Sequence, residues 1–151
     1  MASIPAGGIT GLLTRFGFRH PLVLLRINAT LSVRPLFGTP AMVRDMAFTP
    51  DTPQDIVDNC SARIQDESNL AFLGMVFVRQ RPGRVTAPVL VLGAEHDRFL
   101  TIGEVQRTAR AYHTRAEIFP GMGHHMMLDN GWEKVADRVD AWVRQAASTP
   151  P

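Results

Sequence analysis

The apolar run Val89-Leu90-Val91-Leu92 leads through Gly93-Ala94-Glu95-His96 into Asp97, and 27 residues later the loop Gly121-Met122-Gly123 delivers His124. Between them, Thr101-Ile102-Gly103-Glu104 has the spacing of a capping box, in which the threonine hydroxyl and the glutamate carboxylate satisfy the first free amides of a helix. That helix runs through Val105, Thr108, Ala109 and Tyr112. A second short strand, Ala116 to Phe119, stops at Pro120. Strand, helix, strand in this order predicts two parallel strands joined by a crossover. Loops that follow parallel strands emerge on the same rim of the sheet, where such folds bind ligands. The order of elements therefore brings Asp97 and His124 together. A run such as Val89 to Leu92 reads as a parallel strand buried on both faces.

An acid beside a histidine has a definite chemical use. An imidazole works as a general base only when its tautomer and orientation are fixed, and a carboxylate on its far nitrogen does both. Gly121 and Gly123 give the second loop the freedom to turn the imidazole inward. What such a pair activates is a nucleophile, and no Gly-x-Ser-x-Gly occurs in the 151 residues. Ser3, Ser32, Ser61, Ser68 and Ser148 are present, none in a strand-to-helix elbow. Cys60 falls on an apolar helical face and reads as core.

Residues 1 to about 84 read differently, as helices with short loops. Pro21 starts a helix through Leu22, Leu24, Leu25, Ile27 and Leu31. Thr39-Pro40 and Thr52-Pro53 each pair a capping residue with a proline suited to the first helical turn. Thr52 with Asp55 predicts a capping-box variant opening a helix to about Ile64, with Ile56, Val57, Cys60 and Ile64 on one face. The apolar segment Leu70 to Val78 fits a buried helix or a strand, with its length and the Glu67-Ser68-Asn69 start favouring helix. Arg81-Pro82-Gly83-Arg84 is a turn cluster and marks the boundary. At the other end Trp132, Val135, Ala136, Val139, Trp142 and Val143 recur at helical spacing, predicting an amphipathic final helix.

Taken together, residues 85 to 147 resemble the C-terminal part of the α/β-hydrolase superfamily, in particular its proline iminopeptidase-like, monoacylglycerol lipase-like and lysophospholipase-like branch. The acid and histidine of that family follow the nucleophile in the chain, in that order. The resemblance makes Asp97 the triad acid and His124 the triad base, with Glu95, His96 and His125 as weaker neighbours. It makes residues from about Gly7 to Arg84 the helical cap inserted between the sixth and seventh core strands, with Met1 to Pro5 the end of the sixth. The expected fold class is thus α/β: a helical cap, residues 1–84, followed by the last two strands and helices of an α/β-hydrolase parallel sheet, residues 85–151. The departure from the family is large. Strands one to five, the nucleophile elbow and the oxyanion-hole amides have no counterpart, so the core is incomplete and the chain reads as part of a longer frame.

The resemblance implies a serine hydrolase acting, in complete form, on carboxylic esters or related acyl compounds without a cofactor. This chain alone is expected to be inactive. Met42, Met46, Phe48, Phe72, Met75 and Phe77 lean the substrate towards an apolar acyl group. The rival expectation is a non-catalytic truncated product or an interaction module. Its open strand edge would seek a partner, the missing upstream core segment first of all. Other classes fare poorly. The net charge is only +2 and the arginines form no dense stripe, which argues against nucleic acid. His96, Asp97, His124 and His125 lack the paired spacing of a metal site. Arginines bracket Leu22 to Leu25 too closely for a membrane span. A lone Cys60 rules out an intrachain disulfide and fits a cytoplasmic location, which leaves the sequon at Asn28-Ala29-Thr30 a chance match.

Overall fold

A computed structural model of the chain describes residues 5–30, 32, 37–65, 74 and 80–148. The architecture is mixed α/β, with helices first and a small parallel sheet after them. The first half comprises α1 (Thr10–Arg19), α2 (Pro21–Thr30), α3 (Pro40–Ala47) and α4 (Gln54–Arg63). A short 3-10 turn covers Pro82–Arg84. Then follow β1 (Val91–Ala94), α5 (Ile102–Ala111), β2 (Ala116–Phe119) and α6 (Trp132–Ser148). The expected helix from Leu70 to Val78 lies outside the described residues except for Gly74.

β1 and β2 pair in parallel, from Val91 opposite Ala116 to Ala94 opposite Phe119. The expected strand at Val89 to Leu92 is therefore shifted by two residues. Ala116, where β2 begins, follows the turn that closes α5, so Val89 and Leu90 have no ladder partner in β2. His113 holds that turn at φ 57. Gly93 and Ala94, not the more apolar residues before them, are the buried end of β1, while Val91 and Leu92 are half-buried. Gly93 allows α5 to sit close: a Cβ there would lie 2.9 Å from Val105 Cγ1. On the other face Ala94 packs with Met122 and with Val135 of α6. A paired Arg138 and Glu117 also tie α6 to β2, and the arginine's hydrogen bonds hold the Glu117 carboxyl below its ordinary value. Among the described residues the second edge of β1 carries no strand.

The α5 start behaves as its sequence predicts. Thr101 accepts from the Glu104 amide at 3.2 Å, and the Glu104 carboxylate accepts from the Thr101 amide at 2.9 Å. Thr39 likewise caps α3, accepting from Met42 N at 3.2 Å. Thr52 does not cap α4. That helix starts at Gln54 with Pro53 before it and no side-chain cap, because the Thr52 hydroxyl is used elsewhere.

The helical half holds two small cores, one of which reaches the rim of the sheet. One joins Phe16, Ile27 and Met46, with Phe99 of the rim packed against it. The other joins Val43, Ala47, Phe48 and Val57. Arg15 of α1 reaches the Glu104 carboxylate at 2.8 and 3.1 Å and the Phe99 carbonyl at 2.8 Å. Burial works against the charge on Glu104, but the hydrogen bonds from Arg15 and Thr101 outweigh it and hold the carboxyl below its ordinary value.

Candidate active-site dyad

Asp97 begins the loop after β1 and His124 lies in the loop after β2, so the parallel pairing alone brings them to one rim. They meet side chain to side chain: His124 Nδ1 lies 2.9 Å from Asp97 Oδ2. The other carboxylate oxygen, Oδ1, accepts from the amides of Phe99 at 2.7 Å and Leu100 at 2.9 Å. Asp97 is thus fixed by its own loop before the histidine is counted. Its side chain is 6% exposed and that of His124 19%. A carboxylate can only accept, so His124 carries its proton on Nδ1 and, when neutral, leaves Nε2 as a lone pair. No described residue hydrogen-bonds to that Nε2. Phe99 supports the ring, with centroids 4.5 Å apart.

The His124 loop is held by Asp129, which the sequence reading did not single out. Asp129 is buried. Its Oδ2 accepts from Gly123 N at 2.7 Å. Its Oδ1 accepts from the hydroxyls of Thr52 and Thr49 and from the Asn130 amide. Burial works against a charge here, yet these hydrogen bonds outweigh it and keep the carboxyl below its ordinary value. This is where the Thr52 hydroxyl goes. Gly121 has φ +67, as a tight turn requires. Gly123 matters for a different reason than conformational freedom: a Cβ there would sit 2.9 Å from the Phe48 carbonyl carbon and 3.0 Å from Ala47 O. The loop lies flat on the end of α3, and the His125 amide donates to Ala47 O at 2.8 Å.

The weaker candidates fall outside the dyad. Glu95 accepts from the Gly121 amide at 2.9 Å and so fastens the two loops to each other. His96 is exposed, with Nε2 3.9 Å from the Glu95 carboxylate. His125 is neither exposed nor turned to Asp97. Its ring meets Phe48 edge-on, and Nδ1 lies 3.6 Å from Cys60 Sγ. Burial first, then the neighbouring His124, pushes the His125 pKa down, against weaker pulls from Asp97 and Asp129. Burial pushes the Cys60 thiol up, so Cys60 stays protonated and is a poor nucleophile. Of the serines, Ser3 and Ser68 lie outside the described residues. Ser61 and Ser148 make no hydrogen bond with His124. Among the described residues no three His, Cys, Asp or Glu side chains form a set able to hold a metal ion.

An open cavity of about 990 Å³ adjoins the dyad between α1, the end of α3 and the Asp97 loop. Phe16, Met46 and Phe48 give it an apolar wall, and Asp97 lines one side, but His124 does not line it. Of the residues expected to face an acyl group, Met46 and Phe48 line this cavity. Met42 does not, and Phe72, Met75 and Phe77 lie outside the described residues. No described helix is long and apolar enough to cross a membrane. No family model, curated protein or solved structure matches the chain.

Proposed function

We propose that Asp97 and His124 are the acid and base of a serine-hydrolase relay of the α/β-hydrolase type, acting on carboxylic esters or related acyl substrates. The observation that carries this reading is the contact of His124 Nδ1 with a carboxylate already oriented by two backbone amides. In the relay a serine hydroxyl gives its proton to His124 Nε2 as its oxygen attacks the acyl carbonyl. The imidazolium, stabilised by Asp97, then returns the proton to the leaving group. A water repeats the cycle and frees the acid. Residues 1–84 act as the cap and residues 85–151 as the end of the core. Phe16, Met46 and Phe48 support an apolar acyl group.

The serine and the oxyanion amides would come from a segment that pairs with the free edge of β1. That edge ends on the same rim as the dyad, so a parallel strand added there would deliver its following loop beside His124. The same free edge also supports the second reading, an interaction module with hydrolase ancestry. The two are separated by measuring fluorophosphonate labelling and hydrolysis of a short activated ester. This is done for the chain alone and for the chain extended by the in-frame sequence encoded upstream of Met1. The chain alone should neither label nor turn over, since one oxyanion donor alone is worth about 10²–10³ in rate. The extended chain should do both and lose turnover in His124→Ala while keeping most of it in His125→Ala. A labelled serine in the chain alone, or extended-chain turnover that survives His124→Ala, overturns the proposal. An upstream frame without Gly-x-Ser-x-Gly leaves the interaction module as the reading.

A further inference from the structure

Charge is distributed unevenly along this chain. Arg15, Arg19, Arg26, Arg34 and Arg44 all precede Asp45, the first acidic residue, so all 14 acids lie in the rest of the chain. The α1–α2 hairpin is thus wholly free of negative charge. It also carries the three most exposed large apolar side chains among the described residues: Phe18 at 87%, Leu22 at 72% and Leu25 at 65%. A lone exposed leucine is ordinary; three within one hairpin are not.

The geometry of α2 shows that Leu22 and Leu25 are not misplaced core. Val23 and Ile27 already pack inward with Phe16 and Met46, and Leu24 lies against Gly17. Leu22, Leu25 and Arg26 recur at i, i+3 and i+4 on the outward side, all exposed. The helix is therefore apolar on both sides, a pattern that water alone does not favour. Arg15 is turned inward to Glu104. Arg19 and Arg26 are exposed and have no carboxylate partner among the described residues. The outer face of α6 provides a contrast. Trp132, Val139 and Val143 are exposed there too, but Glu133, Asp137 and Asp140 stand among them.

We propose that the α1–α2 hairpin is a docking surface for an anionic lipid bilayer, with Phe18, Leu22 and Leu25 entering the interface and Arg19 and Arg26 facing the headgroups. Apolar anchors flanked by arginine are the combination that holds a helix in the plane of such a surface. The inference is independent of the hydrolase reading. Because Phe18 and Arg19 also line the cavity beside Asp97, docking there would set the cavity mouth against the lipid.

The test is co-sedimentation of the full chain with vesicles of pure phosphatidylcholine and of equimolar phosphatidylcholine and phosphatidylserine. Binding should appear only with phosphatidylserine. It should fall between about 0.1 M and 1 M salt, where screening shortens from about 10 Å to 3 Å. Each arginine at the surface is worth about fivefold in partition, so Arg19→Glu/Arg26→Glu should lower it by at least about tenfold. Phe18→Ser/Leu22→Ser/Leu25→Ser should abolish it, with circular dichroism showing the fold retained. Val139→Ser/Val143→Ser on α6 should leave it unchanged. Equal binding to both vesicles, or none to either, overturns the proposal. Binding that survives the triple serine variant would mean a general polyanion site and also overturns it. So would gel filtration showing a dimer that the triple variant dissolves, which would give the face to a second copy.

Discussion

The rim loops and the outer face of α6 treat their side chains in opposite ways. At the rim every polar group counts. Asp129 gathers four hydrogen bonds from three segments, Asp97 takes three, and Glu95 clips one loop to the other. On α6 only Val135 of the apolar stripe is buried, while Val139 and Val143 face solvent. The chain concentrates its polar contacts at the rim. Asp97 and His124 are held in place by these contacts, as the proposed relay would require. The apolar stripe of α6 beyond Val135 is left open.

That contrast breaks most easily at Asp129. Asp129→Ala would leave Gly123 N and two threonine hydroxyls without their acceptor in a buried place. It should cost about 3 kcal/mol in urea unfolding; a change below about 1 kcal/mol would mean that the loop is not held from there. Gly123→Ala comes next. Its methyl would meet backbone rather than a flexible side chain, so the loop must lift off α3, at about 2 kcal/mol. The same variant should alter the His124 environment in NMR spectra, since that residue is its neighbour in the chain.

His125 sharpens the comparison through pH. Its folded pKa is depressed by burial, so the unfolded chain binds the proton first as pH falls. Stability should be fully present above about pH 6.5, the unfolded value, and be lost as pH falls below it towards the lower folded pKa. His125→Gln should flatten that part of the profile in chemical denaturation followed across pH. An unchanged slope would contradict a buried neutral imidazole. Asp129 acts in a lower window. Its stabilisation holds above the unfolded carboxyl value of about 3.9 and is lost as pH falls through the lower folded one. The smallest effect belongs to the open face: Val139→Ser/Val143→Ser should shift stability by no more than about 0.5 kcal/mol. A loss several times larger would show that the stripe is covered in solution.

Local chemistry was the legible part. The Thr101–Glu104 box is written within four residues and forms as written. The meeting of Asp97 and His124 follows from topology, because two parallel strands leave their following loops no other rim. What stayed hidden depends on partners far away in the chain. Thr52 looks like a cap for α4, but its hydroxyl goes to Asp129, 77 residues on. Nothing in the residues around Asp129 says that its carboxylate is the hub of the loop. Gly123 looks like a hinge and is in fact a point of close approach to α3. Val89 and Leu90 look like strand because they are apolar, but the ladder is set by where β2 begins. The cavity likewise emerges only once α1 is placed against the rim.

The most direct test of the central claim is the tautomer of His124 in the chain itself, read from nitrogen-15 NMR of the imidazole at neutral pH. An acid-base relay requires the Nδ1–H form, locked by Asp97, with an unprotonated Nε2 facing the place of the nucleophile. His124 should take that form and lose it in Asp97→Asn, with the His125 signals little changed. A His124 protonated on Nε2, or a mixture of tautomers indifferent to Asp97→Asn, would contradict the claim.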